Sequence, residues 1–338
     1  MQETNIRTQI RAAMHAAFPA AEERVARFYQ MQQYQLGWRD EQLAPADVDP
    51  GKLIRPQLVL LACRAAGGDP AQALPLAAGI QLIHDFSLIH DDIEDDSDIR
   101  RGRTTVWKLW GLAQGINTGD GMYTVAHLAL HQLPARGVPA SVALEVLRRF
   151  DETILTICEG QFLDLSFEGN LAISEDDYLA MIGRKTAALI AAAAELGALV
   201  GGASSATASA MREYGQSLGL AFQVQDDVLG IWGDPEVTGK PFAADLYRRK
   251  LSLPVIHALR NASQRQQLAE LYRQPEMGDA AVAQMLGALD QAGSRDYTAA
   301  VAERYHNRAL AALDAAEGGA PAIDELRALT AKLLNRSF

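Results

Sequence analysis

A chain of 338 residues, 49% of them apolar, carries enough hydrophobic side chain for a large core, in one big domain or two ordinary ones. Its net charge of −11 excludes a general nucleic-acid binder and a binder of anionic membranes, since both need a basic surface. The two cysteines, Cys63 and Cys158, lie far apart without metal-type spacing and read as reduced thiols of a cytoplasmic protein.

The opening segment, MQETNIRTQIRAAMHAAF, mixes charges among its apolar residues and is no signal peptide. GKLIRP, residues 51–56, places Lys52 and Arg55 three apart, on one helix face and just inside its start, where a helix end favours anions. After the breaker GGDP at 67–70, residues 76–96 have the spacing of a helix. On it Gln81, His84, Leu88, Asp91 and Asp95 share one face, Asp92 flanks it, and Ile80, Leu82, Ile83, Phe86 and Ile89 fill much of the rest. PARGVPA at 134–140 breaks the pattern again, and EVLRRFDETILTICEGQFLDL resumes it. Ser174 precedes EDDYLAMIGRK as an N-cap with acidic residues in the first turn. GRKTAALI puts Lys185 and Thr186 at the head of an apolar helix. The run from Ala187 to Gly202 is short for a membrane span, contains Glu195 and is mostly alanine, which fits a buried helix in a helix-on-helix core. Further breakers stand at 233–241 and 317–322. Between them the chain reads as ten to thirteen helices, without alternating strands, in one all-α domain over residues 1–338.

Two aspartate clusters carry the chemistry. SLIHDDIEDDSDIRRG, residues 87–102, sets acids at the C-terminal end of its helix, where the helix dipole disfavours them. A run of charge is most often a solvated helix end. Here, however, two like charges near 4 Å repel by about 4 kcal/mol at an effective dielectric of 20, so a structure holding Asp91, Asp92 and Asp95 together needs a cation. All-oxygen ligands select magnesium or calcium, and the glycine and terminal glutamate of a calcium EF-hand loop are missing. Magnesium uses one or two carboxylates and leaves its other positions to water and phosphate oxygens, which points to a phosphorylated substrate.

The second cluster, GLAFQVQDDVLGIWGDPEVTGKPFAADLYRRK, repeats the arrangement. Gln223, Asp226 and Gly230 share a helix face with Asp227 adjacent; Asp234, Asp245, Lys240 and Lys250 follow. Two facing acidic helices would hold several magnesium ions around one diphosphate, with basic residues on the remaining oxygens. Lys52, Arg55 and Lys185, each an ordinary surface cation alone, together let an acidic protein bind a polyanion.

These motifs, in order and spacing from about residue 51 to 254, resemble those of the trans-isoprenyl diphosphate synthases, head-to-tail prenyltransferases such as farnesyl and geranylgeranyl diphosphate synthase. The resemblance implies an isoprenoid synthase type I helical bundle around a deep central cavity and a homodimer; the short, alanine-rich apolar run already predicts no stable membrane anchor. The resemblance further implies an allylic diphosphate ionised with three magnesium ions (Mg2+), whose cation alkylates isopentenyl diphosphate. Carried over by position, Asp91, Asp92 and Asp95 would hold two magnesium ions, and Asp226 and Asp227 the third. Arg100, Lys185, Lys240 and Lys250 would bind the allylic diphosphate, with Thr186 and Gln223 lining that site. Lys52, Arg55, His84 and Arg101 would bind isopentenyl diphosphate. For His84 the alternative is a satisfied core histidine; its place on the aspartate stripe favours a ligand. Three positions depart from the pattern: Gly230 replaces the third aspartate of the second motif, Thr104 a common proline, and Gln81 a frequent glutamate.

In this family product length is usually set just below the first motif. Phe86 stands five residues before Asp91, about 7.5 Å down the helix, and Ser87 four before it. An aromatic followed by a small residue, with no insertion in the motif, resembles the geranylgeranyl type and predicts a twenty-carbon product, with fifteen carbons next. Phe86 reads equally as ordinary core packing. A class I terpene cyclase shares the fold but lacks this second motif and the Lys52, Arg55 and Arg101 cradle. A non-catalytic partner subunit typically loses aspartates from both motifs, whereas five of six are kept here.

Overall fold

Helix formers at three-and-four spacing produce helices nearly everywhere. The computed structural model describes residues 3–49, 51–238, 241–260, 262–274, 277–316 and 318–334. In chain order the helices are α1 Glu3–Ala17, α2 Ala26–Gln35, α3 Ile54–Ala65, α4 Pro70–Glu94, α5 Val106–Trp110, α6 Leu112–Leu130, α7 Ala140–Phe167, α8 Glu175–Ile182, α9 Ala188–Val200, α10 Ser205–Trp232, α11 Pro235–Thr238, α12 Ala244–Tyr247, α13 Leu253–Arg260, α14 Ala262–Tyr272, α15 Asp279–Gln291, α16 Ser294–Ala315 and α17 Ala320–Leu334. That is seventeen α-helices among the described residues, more than the sequence reading allows. Most of the surplus is short: α5, α11 and α12 span 5, 4 and 4 residues, too few to show an apolar period.

Local signals work as expected at several ends. The Asp69 side chain accepts from Ala71 N at 2.9 Å, with Pro70 opening α4. Ser174 and Asp177 form a reciprocal capping box at α8. The all-α reading holds, with one small hairpin besides the helices. Residues Ile99–Arg100 and Arg103–Thr104, β1 and β2, pair antiparallel, with Ile99 opposite Thr104 and Arg100 opposite Arg103. Two-residue strands are too short to display alternation in sequence.

The backbone divides into two compact units. The first runs to Asp151 and includes Ala193–Ala208; the second takes Glu152–Ala192 and everything from Ser209. In the first unit, α4 packs on α1, α3 and α6. The α4–α6 contact is close because a Cβ at Gly79 would lie 2.1 Å from Leu130 Cδ1. The alanine-rich α9 is buried as expected, and its Glu195 pairs with Arg149. No helix among the described residues is long and apolar enough to cross a membrane. In the second unit one apolar cluster gathers residues of α12 to α15, and another joins Tyr178, Met181 and Ile182 of α8 to Leu220 and Val224 of α10.

Candidate active site

In the first unit α4 delivers His84, Phe86, Ser87, Asp91 and Asp92 along one rod, and Asp95 caps its C-terminal end. The chain then turns sharply. Ser97 N bonds Asp92 O at 2.8 Å, while Thr105 Oγ and Trp107 Nε1 both donate to Ser97 O, at 2.8 and 2.9 Å. The β1–β2 hairpin brings Arg100 back over the helix end. Its Nε donates to Asp92 Oδ1 at 2.5 Å and its Nη2 to Asp91 Oδ2 at 3.0 Å. Asp92 is buried, Asp91 partly so, and Asp95 exposed. Burial pushes the Asp92 carboxyl up; Arg100 opposes this, and the charge of Asp91 adds to it. With Arg100 bonded to both, Asp91 and Asp92 are the carboxylates that could hold a hard divalent cation together with phosphate oxygens and water.

A group of cations around His84 forms a second candidate site in the same unit. Arg55 sits in the first turn of α3, its Nε buried without a hydrogen-bond partner. Burial lowers the Arg55 guanidinium to about 10, so it stays charged at neutral pH. Burial, then Arg55, Arg101 and Arg100, push the His84 imidazole well below its ordinary value, so it is a neutral hydrogen-bonding group among cations. Asp85, unnoticed in sequence, is buried and hydrogen-bonded by Gln81 at 2.7 Å. A Cβ at Gly51 would lie 3.7 Å from Arg101 Nη1. Lys52 does not share a helix face with Arg55 as the spacing predicts. Leu53 adopts φ 48 and ψ 42, so the helix begins at Ile54 and Lys52 precedes it, exposed.

Below the aspartates the aromatic rings form a column. Phe86 meets His90 edge-on at 4.9 Å and Tyr123 of α6 at 5.5 Å; Tyr123 meets His127 at 4.5 Å, and His127 meets Phe150 at 5.3 Å. Ser87 Oγ donates to His84 O at 2.8 Å, which ties the hydroxyl back to its own helix. Tyr123 and His127 carry no motif and were not legible in the sequence.

In the second unit Lys185 and Thr186 lie in a single π-helical turn, Gly183–Ala187, rather than at a plain helix head. The turn bulges against α7, where a Cβ at Gly160 would fall 2.2 Å from Lys185 N. Lys185 Nζ pairs with Asp164 of α7, another residue that the motifs do not flag. Thr186 Oγ1 donates to Gln223 Oε1 at 3.2 Å, and Gln223 Nε2 to Asp227 Oδ1 at 3.2 Å. Asp227 is fully buried. Its Oδ2 accepts from Tyr178 OH and from Leu253 N at 3.2 Å, and Lys250 Nζ stands 3.7 Å from Oδ1. Burial, then Asp227, raise the Tyr178 phenol well above its ordinary range, so Tyr178 keeps its proton and donates. Burial lowers Lys250, but Asp227, Asp245, Asp226 and Asp164 outweigh it and raise it, so its charge is secure. Asp226 is only partly buried. Lys240 lies outside the described residues.

Among the described residues no three Asp, Glu, His or Cys side chains are arranged to hold a metal by themselves. Magnesium does not require it, because phosphate oxygens and water complete its six positions. Among the described residues, five of the six non-glycine residues with positive φ adjoin these groups: Leu53, Asp96, Arg101, Ala243 and Arg249, with Leu43 the exception. Such backbone strain gathers where side chains must be aimed.

An all-α chain with a strand-capped aspartate helix, a second aspartate pair and cations set for phosphate defines a transferase of isoprenoid synthase fold. Residues 41–289 match the family model described as polyprenyl synthetase, and the chain belongs to that family, the trans-isoprenyl diphosphate synthases. A geranylgeranyl diphosphate synthase of Mycobacterium tuberculosis is 43% identical over 263 residues, 78% of this chain and 73% of that one. A (2E,6E)-farnesyl diphosphate synthase of the same organism is 46% identical over 222 residues, 66% of this chain but only 60% of that one. The crystal structure of a polyprenyl synthetase from Streptomyces coelicolor A3(2) superposes with a TM-score of 0.90 at 36% identity, covering 98% of both chains. The enzyme is thus a prenyltransferase that acts on isoprenyl diphosphates with a divalent metal.

Proposed function

We propose that this enzyme condenses isopentenyl diphosphate with an allylic diphosphate and releases geranylgeranyl diphosphate. What supports the reading is that one unit gathers Asp91 and Asp92 with Arg100 at one place and Arg55, Arg101 and neutral His84 at another. Asp91, Asp92 and Asp95 bind through metal, with Arg100 beside them; Arg55, Arg101 and neutral His84 bind directly. Two diphosphate substrates need two such groups, whereas a cyclase, with one diphosphate, needs only the first.

Magnesium, when bound, neutralises the leaving diphosphate and so favours rupture of the allylic C–O bond. Three ions are assigned: two to Asp91, Asp92 and Asp95, and a third to Asp226 and Asp227. For the allylic diphosphate we assign Arg100 in the first unit and, in the second, Lys185 and Lys250 with Thr186 and Gln223; Lys240, outside the described residues, is assigned with them. Lys52, Arg55, His84 and Arg101 orient isopentenyl diphosphate so that its terminal double bond attacks the allylic carbon. The C–O pair leaves with diphosphate, the alkene pair makes the new C–C bond, and a proton is lost from the adjacent carbon to restore a double bond. Apolar walls keep water from the carbocation. We also assign a homodimer in the cytoplasm.

The twenty-carbon product rests on Phe86 with Ser87 and on the mycobacterial geranylgeranyl relative. The farnesyl relative, more similar over a shorter stretch, makes fifteen carbons the second reading. The test is incubation with magnesium, isopentenyl diphosphate and, separately, five-, ten- and fifteen-carbon allylic diphosphates, with products sized by mass spectrometry. A twenty-carbon diphosphate is expected. A fifteen-carbon end product would displace Phe86 as the floor, and no condensation with any primer would overturn the synthase reading.

A further inference from the structure

The β1–β2 hairpin carries Arg100 and Arg101, yet it is too small to hold itself in place. Each strand has two residues, and a lone two-stranded hairpin is marginally stable at best in water. Its turn is Arg101–Gly102, with φ 51 and 74. A two-residue hairpin turn favours positive φ at both positions, but arginine, unlike glycine, adopts it only where the surroundings impose it. On the β1 side the contacts are those of Arg100 with Asp91 and Asp92. They belong to the site itself: on the assignment above, Arg100 turns to diphosphate once metal occupies the two carboxylates. The hairpin therefore needs a second fastening that substrate does not disturb.

The β2 side supplies it. Arg103, opposite Arg100 in the ladder, donates from Nη1 to Tyr34 O at 2.8 Å and from Nη2 to Arg39 O at 2.7 Å. Its guanidinium lies over the Tyr34 ring, 3.9 Å from the centroid, as a cation–π contact. Tyr34 OH in turn donates to Thr104 O at 2.6 Å. Tyr34 is 2% exposed and meets Trp110 edge-on at 5.1 Å, so it is a fixed anchor near the end of α2. Thr104 Oγ1 donates to Glu41 Oε1 at 2.9 Å. Proline, common at position 104, has no hydroxyl and no N–H, so the threonine adds a tie to the segment after α2 that proline would lack. Tyr34, Arg39, Glu41, Arg103 and Thr104 are all outside the groups assigned to metal or substrate.

We propose that Arg103 is a positioning residue. Fastened to Tyr34 and Arg39, it holds the Arg101–Gly102 turn in its left-handed form and so aims Arg101 at isopentenyl diphosphate. Lysine is no equivalent, because it lacks the planar fork that reaches two carbonyls at once. The inference rests on the assignment of Arg101 given above.

Steady-state kinetics of the wild type, Arg103→Met, Arg103→Lys, Tyr34→Phe and Arg101→Met test it, with folding followed by circular dichroism. Arg103→Met should raise the KM for isopentenyl diphosphate about tenfold while kcat stays within about threefold, since a misaimed binding group costs affinity before chemistry. Arg103→Lys should fall between that variant and the wild type, and Tyr34→Phe, which removes one bond to the hairpin, should raise the same KM about threefold. A merely structural Arg103 would instead lower the melting temperature and kcat through the folded fraction and leave KM unchanged. Wild-type KM in folded Arg103→Met would overturn the proposal. If Arg103→Met does not fold, wild-type KM in both Arg103→Lys and Tyr34→Phe would do so. Arg101→Met separates the two levels. If it raises the KM for isopentenyl diphosphate and the Arg103 variants do not, only this inference falls; if it leaves that KM unchanged, the assignment of Arg101 falls and this inference with it.

Discussion

The ring of Phe86 meets the ring of Tyr123 edge-on, with centroids 5.5 Å apart, so the α4 residue below the first aspartates is backed by an aromatic from α6. If this pair closes the product channel, Phe86→Ala should lengthen the main product by one five-carbon unit. Tyr123→Ala should do so less, because Tyr123 stands behind Phe86. Chromatography of the dephosphorylated alcohols reads the result. An unchanged product with a lower melting temperature would leave Phe86 as core packing alone.

Tyr178 donates to the buried Asp227 carboxylate. Tyr178→Phe removes that donor and leaves Oδ2 with Leu253 N alone, which should cost about 1–3 kcal/mol of stability. Urea unfolding checks this. A variant as stable as wild type would mean that Asp227 does not depend on the phenol.

Gly160 lets the π-helical turn approach α7, and a methyl there meets the backbone of Lys185 rather than a movable side chain. Gly160→Ala should therefore cost about 1–3 kcal/mol and displace Lys185. The KM for the allylic diphosphate should rise, while that for isopentenyl diphosphate stays within about twofold. Equal rises in both would show a general loss of fold instead.

Burial pushes the Asp85 carboxyl up to about 6, against the opposing effects of Gln81, Arg101, Arg55 and Arg100. An unfolded aspartate titrates near 3.9, so the folded state holds this proton more tightly. The stabilisation from Asp85 is fully present below about pH 4 and is lost as pH rises through about 6. Two units correspond to roughly 2–3 kcal/mol. Asp85→Asn removes the titration, so variant minus wild-type stability should rise by about that amount between pH 4 and pH 7.5. Chemical denaturation at both pH values decides it; a flat difference would show that Asp85 does not titrate in this range.

What sequence alone determined here is what short-range chemistry encodes. Apolar spacing over successive turns specified α4, α9 and α10; Ser174 marked a helix start; and the order of the aspartate and lysine motifs named the family. Tertiary structure decided the rest. The β1–β2 hairpin that returns Arg100 to Asp91 and Asp92 is two residues per strand, below any periodic signal. Lys52 leaves its helix because Leu53 turns left-handed, a local conformation that its side chain does not favour. Tyr178 reaches Asp227 across 49 positions, and Asp245 reaches Gly230 from another helix. Helix propensity acts over three or four residues, whereas a buried carboxylate finds its donors, or its cation, only after distant helices have packed around it.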